Sequence, residues 1–201
     1  MADKLSRQLR IVGENLGRPI VQRLILFGVT ANHLTMMGMI GGILGATVIW
    51  FGPWWEASII FLLAGACDAL DGQVARARGQ ANAVGGYTDS VMDRVTDIVI
   101  HLSLLGWYAW NHFWFTAVAA GVATLVAVLV PYIRAKAEAL QARGDDGLLT
   151  RAPRTVLLIA GLAAGPVATS FVLTMIAVLG TITVIQRYQA VRRQLLSPPL
   201  P

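Results

Sequence analysis

The chain has 201 residues, of which 56% are hydrophobic and 13% are charged, and its mean hydropathy is +0.62. Soluble domains carry about 25% charged residues, so this composition excludes an ordinary soluble protein. The formal net charge is +5, and the single cysteine, Cys67, excludes an intrachain disulfide. We predict an all-α integral membrane protein with one membrane domain over residues 1–201, and we expect no nucleic-acid partner.

The first segment, residues 1–20, is polar and basic but has a helical repeat of apolar residues. Leu5, Leu9, Val12, Leu16 and Ile20 recur at intervals of three or four residues. This spacing predicts an N-terminal amphipathic juxtamembrane helix that lies on an anionic membrane surface. An unstructured basic leader is the alternative. Because the segment has no apolar core before a small-residue cleavage site, we expect it to persist in the mature protein.

Six apolar segments follow, each close to the roughly 20 residues that a membrane-spanning helix needs. Together they cover residues 33–190 and predict a bundle of six transmembrane helices. The first segment also contains Gly38, Gly41, Gly42 and Gly45, a spacing that lets a neighbouring helix approach closely. The predicted spans are about 33–52, 57–77, 85–107, 114–137, 148–164 and 168–190.

Apart from Arg94 within the third span, lysine and arginine cluster at one set of span ends and connections. They cluster before the first span, after the second, between the fourth and fifth, and after the sixth, whereas "WFGPWWE", "WYAWNHFWF" and "GLAAGPVATS" contain none. The positive-inside rule therefore predicts that both termini and the basic loops are cytoplasmic in a multi-pass protein of the inner (cell) membrane. The tryptophans predict an aromatic belt at the opposite surface: Trp50, Trp54, Trp55, Trp107, Trp110 and Trp114.

Two of the apolar segments carry pairs of acidic residues. Asp68 and Asp71 are three residues apart on the second span, and Asp89 and Asp93 are four apart on the third. Each pair therefore shares one helix face. If the two helices form an antiparallel hairpin, Asp71 lies opposite Asp89 and Asp68 lies opposite Asp93.

Four carboxylates that face one another in a membrane repel unless a cation lies between them. Oxygen ligands without histidine or cysteine favour Mg²⁺, Mn²⁺ or Ca²⁺ over zinc. Four acids suit one ion or two, and two ions about 3.5–4 Å apart are typical of phosphoryl transfer. Asp97 lies one turn beyond Asp93, and we expect it to pair with Arg94 or to support the metal ligands.

The residues around these acids form a longer motif. It reads D-x-x-D-G-x-x-A-R from Asp68 to Arg76, then eight residues, then G-x-x-x-D-x-x-x-D from Gly85 to Asp93. This pattern resembles the signature of the CDP-alcohol phosphotransferases. The resemblance implies a metal-dependent enzyme that moves the phosphatidyl group of CDP-diacylglycerol to an alcohol and releases CMP. It also implies two Mg²⁺ ions, with Mn²⁺ as a substitute, and a homodimer.

The resemblance implies roles for individual residues as well. The metal ligands would be Asp68, Asp71, Asp89 and Asp93. The CDP-lipid site would comprise Asp68, Gly72, Ala75, Arg76 and Gly85. Asp93 would also act as the general base on the acceptor hydroxyl. Glycine and alanine permit close approach of the nucleotide, and the arginine offsets charge on the diphosphate.

The segment "YIRAKAEALQARGDDGLLTRAPRT" between the fourth and fifth spans carries a second resemblance. It is similar to the corresponding segment of phosphatidylinositol phosphate synthases and related archaeal ether-lipid enzymes, in which basic residues bind the phosphate of inositol 1-phosphate. The matching residues here are Arg134, Lys136, Arg151, Arg154 and, on the last span, Arg187. Alternatively, these residues only set the orientation of the chain in the membrane, since Lys and Arg at cytoplasmic helix ends occur in most membrane proteins.

The same segment departs from the family at Thr150 and Pro153, where the resemblance leads us to expect glutamates. We expect the loss of these acids to change how the two arginines that follow them are held. Inositol 1-phosphate is the expected acceptor. Glycerol 3-phosphate is the alternative, because it also presents a phosphate to a basic pocket and would make the protein a phosphatidylglycerophosphate synthase.

A transporter and a noncatalytic membrane scaffold are the alternatives to an enzyme. Intramembrane carboxylates also line cation transporters and proton pathways, but the broken helices or inverted repeats of transporters are not evident in the sequence. A noncatalytic membrane scaffold would tolerate the glycines and tryptophans but leaves the paired acids unexplained. Metal-dependent release of CMP from CDP-diacylglycerol distinguishes the enzyme from both.

Overall fold

The structure is a computed structural model that describes residues 17–144, 147 and 149–196. Every regular element within these residues is an α-helix, which confirms the predicted all-α class. The first helix, α1, is described over residues 17–26. The others are α2 (Ala31–Phe51), α3 (Trp54–Ala77), α4 (Ala83–Trp110), α5 (Trp114–Ala139), α6 (Arg151–Ala164) and α7 (Pro166–Leu196).

Helices α2 to α7 coincide with the six predicted spans to within a few residues at most ends. Within the described residues, α2, α3, α5 and α7 are long and apolar enough to cross a membrane. Helix α4 carries several charged residues along its length, and α6 has only 14 residues. At 1.5 Å per residue, α6 is about 21 Å long, less than the roughly 30 Å of a hydrocarbon core.

The predicted juxtamembrane helix lies mostly outside the described residues, which begin at Gly17. The helix that contains residue 17 continues to residue 26, beyond the predicted end at residue 20. The six-span count and the juxtamembrane position therefore stay predictions.

The chain divides into two compact units. The N-terminal unit contains residues up to 41 together with residues 62–93, and the C-terminal unit contains residues 42–61 together with residues 94–201. Helices α2, α3 and α4 each contribute one part to each unit.

In the N-terminal unit, α1, α2 and α3 meet in a small apolar core of Val21, Leu34 and Val74. Helices α2 and α3 also approach closely at Gly38, where an added Cβ would lie 3.3 Å from the carbonyl oxygen of Ala64. The close helix packing predicted from the glycines of the first span is confirmed at this position.

In the C-terminal unit, α5 packs along α7, and three alanines of α5 (Ala120, Ala123 and Ala127) are fully buried. Trp54 is also buried, with 7% of its surface exposed, and its ring centroid lies 4.7 Å from that of Trp107. The predicted tryptophan belt stays a prediction, since burial among other helices does not give the membrane depth of Trp54. Its indole packs in the apolar core, where aromatic pairs add to the burial energy.

The connection between α3 and α4 is defined by a motif at each of its ends. Gly79 has a φ of 65°, and its N–H and that of Gln80 donate to the carbonyls of Arg76 and Ala75, at 3.1 and 2.9 Å. These two bonds form a Schellman motif that ends α3. Helix α4 then starts at a cap, because the Gly85 N–H donates to the Asn82 side-chain oxygen at 2.8 Å.

Candidate active site

Three acidic side chains of the N-terminal unit come together at the ends of α3 and α4. Asp68, Asp71 and Asp89 each offer a carboxylate oxygen, and these three oxygens all lie within 4.8 Å of one another. Asp71 is buried and the other two are half-buried. The helix spacing of the acids and the α3–α4 turn produce this group, which confirms that Asp71 and Asp89 face each other.

A hydroxyl of α2 supports the most buried of these acids. Thr35 Oγ1 lies 2.7 Å from Asp71 Oδ2 and 3.1 Å from the carbonyl oxygen of Ala31. A hydroxyl has one proton to donate. The shorter contact to a charged acceptor is the stronger bond, so Thr35 fixes the orientation of the Asp71 carboxylate.

The three acids fit a divalent cation. Magnesium ligands at about 2.1 Å place opposite oxygens about 4.2 Å apart, and calcium ligands place them about 5 Å apart. A spread of up to 4.8 Å is within the span of calcium ligands and slightly wider than that of magnesium ligands, so a small movement of the carboxylates would close the group around Mg²⁺. The donor set contains carboxylate oxygens alone, which suits Mg²⁺ or Mn²⁺ rather than zinc.

A cavity of about 810 Å³ in the N-terminal unit opens onto this group. Its wall includes the metal-site residues Asp71 and Asp89. It also includes four of the five residues that the resemblance assigns to the CDP-lipid: Gly72, Ala75, Arg76 and Gly85. The fifth, Asp68, belongs to the acid group and not to the cavity wall. Small side chains leave this volume open, since an added Cβ at Gly85 would have its nearest neighbour 3.6 Å away.

Two helices begin at the wall of the cavity. At the start of α2, the His33 N–H donates to Thr30 Oγ1 at 3.3 Å, and the Thr30 N–H donates to His33 Nδ1 at 3.4 Å. Thr30 and Asn82, which precede α2 and α4, both line the cavity. The first N–H groups of a helix have no partner within the helix and carry partial positive charge. The cavity thus combines two helix starts with Arg76, a setting that favours phosphate groups.

Asp93, the predicted general base, is half-buried on α4, one turn beyond Asp89. Among the described residues, the group of acids whose oxygens lie within 4.8 Å of one another does not include it. Its roles as fourth ligand and as base stay predictions.

Asp97, a further turn along α4, lies in the C-terminal unit and is 8% exposed. The Arg154 Nη2 donates to its Oδ2 at 3.0 Å, and Arg151 Nε lies 3.9 Å from its Oδ1. Its carboxylate therefore holds the first turn of α6. The sequence predicted that Asp97 pairs with Arg94 or supports the metal ligands, and it did not indicate these contacts with α6.

The residues predicted to bind the acceptor phosphate all lie in the C-terminal unit and differ in exposure. Arg134 is exposed and pairs with Glu138 at 2.8 Å, and Lys136 is also exposed. Arg151 is half-buried, whereas Arg154 is buried. Arg187 is buried as well, and its Nη1 donates to the carbonyl oxygen of Val130 at 2.9 Å.

Sequence reasoning missed two side chains that shape the site. Thr35 could have been noticed as a hydroxyl within an apolar span, but its partner Asp71 lies 36 positions away. Asn82 was detectable, because asparagine is among the preferred residues just before a helix. Both line the cavity.

Comparison with known proteins agrees with this geometry. A profile of the CDP-alcohol phosphatidyltransferase family matches residues 28–187. The phosphatidylinositol phosphate synthase of Cutibacterium acnes is 35% identical over 195 residues, covering 87% of this chain and 91% of the relative. The archaetidylinositol phosphate synthase of Methanothermobacter thermautotrophicus is 30% identical over 190 residues, covering 92% and 93%.

Solved structures give the same result. The crystal structure of Mycobacterium tuberculosis phosphatidylinositol phosphate synthase with CDP-DAG bound has a TM-score of 0.80 and 28% identity, covering 90% of this chain and 94% of that one. The structure of the same enzyme with manganese and citrate also has a TM-score of 0.80 and 28% identity, covering 90% of each chain. The chain therefore belongs to the CDP-alcohol phosphatidyltransferase family and is a metal-dependent transferase.

Proposed function

We propose that the protein is a phosphatidylinositol phosphate synthase. It would transfer the phosphatidyl group of CDP-diacylglycerol to inositol 1-phosphate and release CMP. The observation that carries this proposal is the group of three acids at the wall of a large cavity whose other residues include Gly72, Arg76 and Gly85. Relatives with this function that match most of the chain support the choice of acceptor over glycerol 3-phosphate.

The donor would bind in the cavity of the N-terminal unit. Its diphosphate would meet the Arg76 guanidinium and the first N–H groups of α2 and α4, while Gly72, Ala75 and Gly85 leave room for the cytidine. Asp68, Asp71 and Asp89 would hold the divalent metal, with Asp93 as a further ligand if a second ion binds. When bound, the metal offsets negative charge on the diphosphate.

The acceptor would be oriented by basic residues of the C-terminal unit. We assign its phosphate to Arg134, Lys136, Arg151, Arg154 and Arg187. Arginine suits this task because its planar donors match phosphate oxygens. With the phosphate held, the acceptor hydroxyl would attack the phosphorus that bears the diacylglycerol. Asp93 would take the hydroxyl proton, and the bond to the CMP oxygen would break.

We also infer the topology of the protein. Six spans with the basic loops and both termini in the cytoplasm would place the active site at the cytoplasmic side of the cell membrane, where residues 1–20 would rest on the inner leaflet as an amphipathic helix. A homodimer is the assembly that we expect from the family resemblance. Cysteine labelling at the two termini of the protein in sealed vesicles tests the orientation, and mass measurement in detergent tests the dimer.

An acceptor screen tests the function. Purified protein is given CDP-diacylglycerol and Mg²⁺ with inositol 1-phosphate, glycerol 3-phosphate, inositol or serine, and CMP release is measured. We expect the fastest release with inositol 1-phosphate and none when EDTA replaces Mg²⁺. Faster release with glycerol 3-phosphate would reassign the acceptor. No release with any acceptor would contradict a phosphatidyltransferase and favour the transporter that the sequence left as an alternative.

A further inference from the structure

Helix α6 begins with two arginines and has no acid of its own to hold them. Its first residues are Arg151, Ala152, Pro153 and Arg154, and Thr150, which precedes them, makes no side-chain bond to the helix start. The side chains of Arg151 and Arg154 extend from the same turn, since residues three apart share a helix face. Their orientation therefore depends on an acid from another element.

Asp97 of α4 supplies that acid. One oxygen accepts from Arg154 Nη2 at 3.0 Å, and the other lies 3.9 Å from Arg151 Nε. The side chains of Asp97 and Arg154 are 10% and 3% exposed, so this pair is shielded from solvent, while that of Arg151 is 33% exposed. One buried carboxylate thus connects a fixed arginine to a more accessible one.

Basic side chains surround Asp97. Arg151 and Arg154 both approach its carboxylate, and Arg94 also acts on Arg154 electrostatically; arginine stays protonated in proteins. Within the described part of the chain, the buried Nη1 of Arg154 has no hydrogen-bond acceptor. This group can therefore donate to an anion that binds beside the pair.

A buried ion pair is weak evidence for stability, because apolar residues of similar volume often stabilise a fold as well or better. The pair of Asp97 and Arg154 is better explained as a means of orienting the arginine side chain. His101 adds to the same arrangement: its Nδ1 lies 2.7 Å from the Asp97 carbonyl oxygen, and it is 2% exposed. The buried ring of His101 thus lies against the helix turn that carries Asp97.

We propose that Asp97 is a positioning residue for the acceptor phosphate: it holds Arg154 in place and aims Arg151 at the anion. This rests on the proposed function, because it assumes that α6 contributes to the acceptor site. It also explains how the arginines are held when Thr150 and Pro153 replace the acids that the family resemblance predicted.

The test compares Asp97→Asn with Asp97→Glu by steady-state kinetics. Asn keeps the shape and removes the charge, so we expect the KM for inositol 1-phosphate to rise about 10- to 100-fold, the range for a hydrogen bond to a charged group. The KM for CDP-diacylglycerol and the affinity for Mn²⁺ should stay unchanged, because Asp97 is not a member of the acid group or of the cavity wall. Glu restores the charge but displaces the carboxylate by one methylene, so its KM for the acceptor should lie between those of Asp97→Asn and wild type.

Glu56→Gln is the matched control. Glu56 lies in the first turn of α3, away from Asp68 and Asp71 in the second half of that helix, so its loss should leave both KM values unchanged. If Asp97→Asn lowers the melting temperature but leaves the acceptor KM unchanged, Asp97 is structural and the proposal is wrong. If that variant does not fold, Asp97→Glu decides: an acceptor KM equal to wild type contradicts the proposal.

The proposed function is judged separately, on the wild-type enzyme. If no phosphorylated acceptor reacts, the proposed function fails. If one reacts and the Asp97 variants keep its KM, only the positioning role fails.

Discussion

The two units use charged residues in opposite ways. In the N-terminal unit, three acids gather at a cavity with their oxygens within 4.8 Å of one another. In the C-terminal unit, Arg154 and Arg187 are buried, and protein oxygens of Asp97 and Val130 accept their hydrogen bonds. The acid group thus offers oxygen ligands to a cation, whereas the carboxylate of Asp97 offsets the charge of Arg154 within the fold.

This difference has a consequence for stability. Like charges brought together are unfavourable until a cation binds, so the acid group costs stability in the metal-free protein. Removing one member of a buried ion pair leaves the other charge without compensation, which is strongly unfavourable. Substitution of an acid in the N-terminal unit and of a buried arginine in the C-terminal unit should therefore change stability with opposite signs.

The largest effect is expected for Arg154→Met. Loss of the guanidinium leaves the buried Asp97 without its closest donor, and breaking such a pair costs about 3–5 kcal/mol. Thermal unfolding in detergent measures the change. Arg134→Met is the control, because Arg134 forms an exposed pair with Glu138 that is worth at most about 1 kcal/mol. Equal losses for the two variants would remove the contrast between buried and exposed arginines.

Asp71→Asn should have the reverse effect on stability and a large effect on turnover. Removal of a metal ligand should lower turnover by more than about 100-fold, since loss of residues that only support ligands already costs 10- to 100-fold. The metal-free variant should melt at a higher temperature than metal-free wild type, because one of three clustered charges is gone. A lower melting temperature without metal would show that the acids do not repel one another significantly.

Thr35→Val tests how Asp71 is oriented. The substitution keeps the shape of the side chain and removes the donor that lies 2.7 Å from Asp71 Oδ2. We expect affinity for Mn²⁺, measured by electron paramagnetic resonance, to fall about 10- to 100-fold. Thr35→Ser keeps the hydroxyl and should bind like wild type. If Val and Ser bind Mn²⁺ equally well, the hydroxyl has no part in orienting the ligand.

The smallest effect is expected for Asn82→Ala, which removes the cap of α4. Loss of such a cap costs about 1 kcal/mol. Asn82→Asp should retain the stability, because its carboxylate accepts the Gly85 N–H and suits the positive end of the helix. Melting temperatures of the two variants measure this difference, and an unchanged value for Ala would mean that the cap contributes nothing.

The acid site was predictable because its residues lie close together in the sequence. Asp68 and Asp71 share a helix face, as do Asp89 and Asp93, and a short connection brings the two helices together. The sequence could not show which of the four acids converge, because the crossing angle and rotation of packed helices depend on their other contacts. The structure groups three of them, and Asp93 stays outside that group.

The contacts of the arginines were not predictable, because they join distant parts of the chain. Arg154 and Asp97 are 57 positions apart, and so are Arg187 and Val130. The start of α6 was also misplaced, since apolar residues before Thr150 extended the predicted span to residue 148. The helix begins at Arg151, and Pro153 fits its first turn because the backbone N–H groups there need no partner within the helix.

The glycines of the cavity wall have a practical consequence for engineering. An added Cβ at Gly72 would lie 3.3 Å from the Arg76 guanidinium, whereas one at Gly86 would meet no atom within 4 Å. Alanine at Gly86 would thus narrow the cavity without displacing protein atoms, and it is the better helix former. Such an allele offers a genetic tool: compounds that kill cells by filling this cavity should lose potency against it, while compounds that act elsewhere should not.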